Sequence, residues 1–246
     1  MKPLSASELL ILWEEGLDQS LLEKTMRLLG KACSVNDHND IGLLSIGERD
    51  ARLLQLREWL FGYRLMNMAN CPRCKEPVEW ETSTENLHLQ QLPADLAVRS
   101  FILEKDNYLV NFRLPNTHDI TNAMVDATYL SDQKKLLSDC IVGVSKKGKK
   151  QKDKKLPDEV LDALSYRMEE EDPQADIRMN IQCPACEHQW QARFDIVSFL
   201  WAEIHNWAQR MMQEIYLLAR SFGWSEKDIL NMSSRRRQLY LQMIQA

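Results

Sequence analysis

Two stretches of this chain carry residue types that could do chemistry at a useful spacing: Cys71-Pro72-Arg73-Cys74 and Cys183-Pro184-Ala185-Cys186. In each, two thiols stand three residues apart beside a proline, so one turn of backbone can aim both sulfurs at a single ion. Together, Cys71, Cys74, Cys183 and Cys186 supply the full tetrahedral complement of a structural Zn2+. A closed shell of four sulfurs leaves no open coordination position, so the expected role is a cross-link and not a catalyst. The competing readings are a disulfide and a redox dithiol, the latter needing a strand before the pair and a helix opening on it. Each pair is instead followed by strand-like residues, Pro77 to Thr82 and Gln189 to Phe194, the pattern of the two knuckles of a zinc ribbon. His188 is a further candidate ligand, but four cysteines already close the shell. Sites of this kind carry about 10–16 kcal/mol of apparent free energy near neutral pH, as large as a whole domain's stability.

The gap between the knuckles is unusual. Between Cys74 and Cys183 lie 108 residues, whereas a free-standing ribbon separates its pairs by about 15–20. The expected organisation is therefore an N-terminal helical region (1–66), a ribbon split between 67–90 and 175–195, an inserted α/β region (91–174), and a C-terminal helical region (196–246). The fold class is α+β, mainly helical, with a small antiparallel zinc-ribbon-like element.

The elements that must position the cysteines follow from caps and periodicity. Ser5-x-x-Glu8 and Ser45-x-x-Glu48 are capping boxes, each opening a helix that closes at Gly16 and Gly62; a helix from about Gln19 to Cys33 lies between them, and Asn36 to Asp40 reads as a turn. Val98 to Glu104 and Tyr108 to Arg113 form a hairpin around Lys105-Asp106-Asn107. Asn116 caps a helical stretch that runs, with a break near Ser131, to Val142. Pro157 to Glu171 is helical, Asp172-Pro173 stops it, and alternating Ile177, Met179 and Ile181 deliver a strand into the second knuckle. From Ile196 to Phe222 apolar residues recur at helical spacing, with Trp201 and Met212 widening the stripe beyond one face. Ser225 and Ser233 cap two last helices.

A hydrophobic content of 44%, a charged content of 27% and only eight glycines fit a soluble globular protein that is not all-β. No run of about 18 apolar residues is present, so no membrane span is expected, and the start is unlike a secretory signal. A cytoplasmic location follows, where six cysteines act as metal ligands or buried thiols; Cys33 and Cys140 sit among aliphatic residues and read as core side chains. The net charge of −5 hides an asymmetry: Lys146 to Lys155 holds seven lysines and one aspartate, contributing +6 and leaving −11 elsewhere. Nucleic-acid binding is the sharp reading of that run and a solvated mobile loop the bland one; the loop is favoured, because no aromatic residue interleaves the lysines. Arg235, Arg236 and Arg237 at a helix start oppose the helix dipole, which points to carboxylates or an acidic surface nearby. There is no phosphate loop, no His-Glu-x-x-His, no Gly-x-Ser-x-Gly, and the five histidines are scattered. Neither catalysis nor a small-molecule substrate is expected.

Several stretches resemble one family as a set: Glu8-Leu9-Leu10-x-x-Trp13-Glu14, Glu48-Arg49-Asp50-Ala51-Arg52-Leu53-Leu54-x-Leu56-Arg57-Glu58, the two knuckles, Phe112-Arg113-Leu114-Pro115, Phe199-Leu200-Trp201-x-Glu203-Ile204, and the tail from Gly223-Trp224-Ser225 to Met232-Ser233. The set is similar to the T-even-phage-type baseplate hub assembly chaperones, whose relatives also accompany phage-like contractile injection systems. The resemblance implies a non-enzymatic helper in building the baseplate, with hub or spike proteins as partners. On the residues themselves, the tryptophan-rich C-terminal helices look like a binding module, with Trp224, Arg236 and Tyr240 as the partner-binding candidates. A nucleic-acid-binding ribbon and a structural baseplate subunit are the alternative readings.

Overall fold

The structure, a computed structural model, describes residues 1–35, 38–89, 92–93, 95–125 and 131–245. In chain order the elements are α1 (Ala6–Glu15), α2 (Leu21–Cys33), α3 (His38–Gly42), α4 (Ile46–Phe61), β1 (Arg64–Asn70), β2 (Pro77–Ser83), β3 (Ser100–Lys105), β4 (Tyr108–Arg113), α5 (Thr117–Val125), α6 (Ser131–Cys140), β5 (Ile141–Lys146), β6 (Lys149–Lys150), α7 (Asp158–Glu171), β7 (Arg178–Gln182), β8 (Gln189–Arg193), α8 (Ile196–Phe222), α9 (Glu226–Leu230) and α10 (Ser234–Gln245). They form two compact units, one of residues 1–36 with 196–246 and one of residues 37–195. α4, grouped by the sequence with the N-terminal helices, folds within the second.

The first unit is helical. α1 and α2 each open on a complete capping box: Ser5 Oγ accepts from Glu8 N while Ser5 N donates to Glu8, and Ser20 and Glu23 repeat the exchange. α8 buries Leu200, Trp201, Ile204, Ala208, Met211, Ile215 and Leu218. Trp201 is a core residue, its indole N–H donating to Thr25 Oγ1 at 2.9 Å; Met212, by contrast, is half exposed. Gly223, at φ 68, lets the chain turn left-handed out of α8. Of the arginine triplet, Arg237 is buried and donates to Glu214 Oε2 (3.0 Å) and Met232 O (2.7 Å), so Glu214 is the carboxylate the sequence called for.

The second unit is built on α4, which buries charged as well as apolar residues: Glu48, Arg49, Arg52 and Arg57 are buried alongside Leu53, Leu54 and Leu56. Each of the four charged groups makes hydrogen bonds that offset the cost of burial, although Arg52 Nε has no partner among the described residues. Arg52 donates to Glu48 Oε1 (2.7 Å) and to the carbonyls of Pro93 and Asp95. Arg49 bonds Asp50 and Thr117, and Arg57 bonds Gly62 O. Only half of the expected capping box at Ser45 forms. Ser45 Oγ accepts from Glu48 N, but the Glu48 carboxylate is committed to Arg52 and Arg99. The remaining first-turn donors find distant acceptors, Ile46 N on Pro115 O (3.1 Å) and Gly47 N on Asp172 Oδ2 (3.0 Å). A carboxylate at a helix N-terminus also meets the dipole favourably.

Three antiparallel sheets make up the rest: β1-β2, β3-β4-β5-β6 and β7-β8. The four-stranded sheet is the core of the segment between the knuckles, with Val110, Phe112, Ile141 and Val144 packed against Leu137 and Cys140 of α6 and Val160, Leu164 and Met168 of α7. Burial, and next the nearby Asp119, push the Cys140 thiol up to about 12, as befits an inert core side chain. Asn116 and Asp119 cap α5 reciprocally, and Arg113 holds the Asp119 carboxylate in a two-pronged pair. Two sequence expectations are corrected here. The helix expected to reach Val142 ends at Cys140, because the segment from Ile141, with β-branched Ile141, Val142 and Val144, pairs as β5 with β4 around a bulge at Asn111/Phe112. The lysine run is not simply a mobile loop, since Lys146 and Lys149 close a hairpin through Lys147 and Gly148. The expected break near Ser131 adjoins residues 126–130, outside those described; of the expected Asn36 to Asp40 turn the first two residues also lie outside them, and the other three are helical, opening α3.

A Cβ placed on Gly47 would stand 2.0 Å from Asp172 Oδ1 and 2.9 Å from the Ala175 amide. Gly47→Ala is therefore expected to lower unfolding stability by about 1–3 kcal/mol, read as a lower urea midpoint with unchanged slope; an unaltered midpoint would mean that this approach does not hold α4 in place.

Candidate metal centre

Each Cys-Pro-x-Cys stretch is the turn of a two-stranded hairpin, the first between β1 and β2 and the second between β7 and β8. The two turns are built alike. Cys71 N donates to Glu76 O and Lys75 N to Cys71 O, both at 2.9 Å; Cys183 N donates to His188 O and Glu187 N to Cys183 O, both at 2.9 Å. In each, the residue after the second cysteine is left-handed, Lys75 at φ 66 and Glu187 at φ 58. That reversal turns both thiols of a pair to one side. His188 serves the second turn through its backbone carbonyl, while its ring stacks on Trp190 at 6.2 Å and takes no place among the sulfurs.

The turns face each other. The four Sγ atoms all lie within 4.8 Å of one another, with Cys71 to Cys186 at 3.7 Å and Cys74 to Cys183 at 3.6 Å. These separations can be tested against an ion. Sulfurs bound tetrahedrally at about 2.3 Å stand roughly 3.8 Å apart, whereas a disulfide needs about 2.05 Å. The donor set fits a tetrahedral metal and not a disulfide, and a strand, not a helix, follows each pair. Cys71 and Cys183 are fully buried, Cys186 is partly so and Cys74 is exposed. Behind them Val78 and Ile181 are buried, flanked by Trp80, Met179, Trp190 and Ala192 from the facing strands.

The electrostatics of the bare thiols favour a cation. Burial opposes charge on Cys71, but the amides of Cys74 and Arg73 and the neighbouring thiols outweigh it and bring its pKa down to about 6. Cys74 has the Glu76 amide in its favour, yet burial and the other three sulfurs push it up to about 12. Once one thiolate forms, its neighbours resist ionisation, and only a positive centre lets all four carry charge. Cys71, Cys74, Cys183 and Cys186 would hold such an ion; what it supplies is a fixed connection between two hairpins.

Comparison with known families now bears on the whole chain. The profile of the family described as T4 bacteriophage base plate protein matches residues 3–201. The chain belongs to that family. No curated protein and no solved structure matches it. The match takes in both knuckles and ends within α8, so this base plate family protein carries its C-terminal helices beyond the matched span. Trp224, Arg236 and Tyr240, the partner-binding candidates, all lie there. Arg236 is exposed, but Trp224 and Tyr240 are half-buried: their rings meet edge-on at 4.7 Å, with Phe222 stacked on Trp224 at 4.5 Å. They support a surface more than they form it. The exposed apolar side chains nearby, Phe222, Leu239 and Met243, were not singled out by the sequence, although Leu239 and Met243 lie four apart on one helical face.

Cys186→Ser is expected to abolish stoichiometric zinc binding and lower the thermal midpoint, whereas Cys140→Ser, in the core of the four-stranded sheet, leaves the metal content unchanged. Metal analysis and thermal unfolding check both; an unshifted midpoint in Cys186→Ser would show that the four sulfurs hold nothing together.

Proposed function

We propose that this protein is a non-enzymatic assembly chaperone for the baseplate hub of a phage tail or phage-like contractile injection system. It acts in the cytoplasm of the producing cell by binding hub or spike proteins, and a structural zinc keeps its split ribbon closed. The observation that carries the reading is the family match over residues 3–201 together with a four-sulfur cluster whose shell leaves no position for substrate. No helix among the described residues is long and apolar enough to cross a membrane.

The C-terminal helices are the proposed docking surface. Phe222, Leu239 and Met243 are 39%, 51% and 67% exposed, on a rigid base of Trp224 and Tyr240, with Arg235 and Arg236 at the margin. Aromatic, methionine and arginine side chains are those enriched at protein interfaces. Arg236 is available for an acidic partner, whereas Arg237 is engaged internally by Glu214.

Leu239→Glu with Met243→Glu alters the exposed residues alone and leaves the ring cluster intact. In co-purification with tagged hub proteins the double variant is expected to lose at least tenfold in recovery while keeping its thermal midpoint. Undiminished recovery of the folded variant would remove this surface from the account. Trp224→Ala is expected to lower both recovery and midpoint, because it also removes a packed ring.

A further inference from the structure

The lysine run, left without a role by the docking surface above, lies in the unit of residues 37–195. Its seven lysines, Lys146, Lys147, Lys149, Lys150, Lys152, Lys154 and Lys155, are all exposed. Among the described residues none of them forms an ion pair with a carboxylate, whereas Lys2, Lys31 and Lys134 do. Lys146 instead donates to Tyr108 Oη at 2.8 Å and covers that ring at 4.6 Å, and Lys154 donates to Ile141 O. The charges are also held in place. Lys146 lies directly across from Lys149 and Ser145 across from Lys150, around a two-residue turn of left-handed Lys147 (φ 50) and Gly148 (φ 74). Like charges opposite one another weaken a hairpin, so this arrangement spends stability to hold a concentrated positive field. Guarding a sheet edge against stray pairing accounts for one or two lysines, not for seven in ten residues.

The adjoining sheet face carries exposed apolar side chains among polar ones. Ile102, Leu109 and Val142 are 59%, 40% and 54% exposed. The register sets Glu104, Leu109, Ser145 and Lys150 in one row across the four strands, the Glu104 carboxylate at the end far from the lysines, and Ile102, Asn111 and Gly143 in the next. Nothing lies within 4 Å of where a Gly143 Cβ would be, and Asn111 Oδ1 is a buried acceptor without a partner.

From this juxtaposition we infer that the outer face of β3-β4-β5 and the lysine hairpin beside it form a second docking surface, for an acidic amphipathic segment of a protein partner. Carboxylates on that segment meet the lysines and its apolar side chains cover Ile102, Leu109 and Val142. A nucleic acid matches this surface less well. Tyr108, the ring at the hairpin, is half-buried and already holds the Lys146 ammonium, which makes it a poor platform for a base, and three aliphatic side chains gain nothing from a phosphate backbone. The positive field steers the acidic partner, and the aliphatic strip makes its binding outlast the encounter.

The test uses the full-length protein and a fluorescent helical peptide with glutamates on one face and leucines on the other. A peptide with lysines replacing the glutamates and a DNA duplex serve as comparisons, all by anisotropy at about 50 and about 200 mM salt. The glutamate peptide is expected to bind, more weakly at higher salt. Binding falls at least tenfold both in Lys149→Glu with Lys150→Glu and in Val142→Asp, and the lysine peptide does not bind. Lys149→Gln with Lys150→Gln is expected to weaken binding in the same direction without charge reversal, and thermal midpoints establish that the variants are folded. Absence of peptide binding at low salt overturns the inference. So does tighter binding of the duplex that needs the lysines and is indifferent to Val142→Asp, which would make this a nucleic-acid surface.

Discussion

The joining of the two cysteine hairpins depends on four sulfur atoms meeting within 4.8 Å although they come from stretches separated by 108 residues. Closing a flexible loop of that length costs about 4 kcal/mol in its length-dependent part alone. The strands on either side cannot easily meet that cost, because two-stranded hairpins are marginal by themselves and the apolar layer behind the cysteines is thin. A zinc site of about 10–16 kcal/mol exceeds the closure cost severalfold. A metal held by these sulfurs would decide whether the two hairpins form one body.

The segment between the knuckles meets the metal halfway. It has a core of its own, a four-stranded sheet with α6 and α7 against one face, so the loop to be closed is far from a random coil. Further ties shorten it. Asp172, just past α7, holds the Gly47 amide, and Gln174 bonds both Leu89 N and Leu87 O, drawing the end of the inserted region back to α4 and to the chain following β2. The charged residues of the Glu48 to Glu58 stretch belong to this scaffold. They are buried or half-buried donors and acceptors whose partners lie on the carbonyls of Pro93 and Asp95, on Thr117 and on His88.

The metal centre was legible in the sequence because cysteine spacing beside proline is a local signal, and so was the strand after each knuckle. The same holds for α1 and α8 and for the hairpin of β3 and β4, whose caps, periodicity and turn residues all agree. Long-range pairing was not legible. β1 was missed because Met66, Asn67 and Met68 carry no strand signal, and it forms only because Leu65 and Val78 are buried on its paired face. β5 was read as the end of a helix, since nothing local reveals that β4 waits beside it. The burial of Glu48, Arg49 and Arg52 was equally hidden: a charged helix face reads as solvated until the segments that accept its hydrogen bonds are in place. Nor can the sequence show that the rings of Trp224 and Tyr240, named as partner-binding candidates, lie against Phe222.

X-ray absorption at the zinc edge of the protein purified under reducing conditions tests the central claim most directly, because it counts the ion and its donors together. The account predicts one zinc per chain in a shell of four sulfurs at about 2.3 Å. A protein that folds without bound metal, or a shell in which nitrogen or oxygen replaces a sulfur, would contradict it.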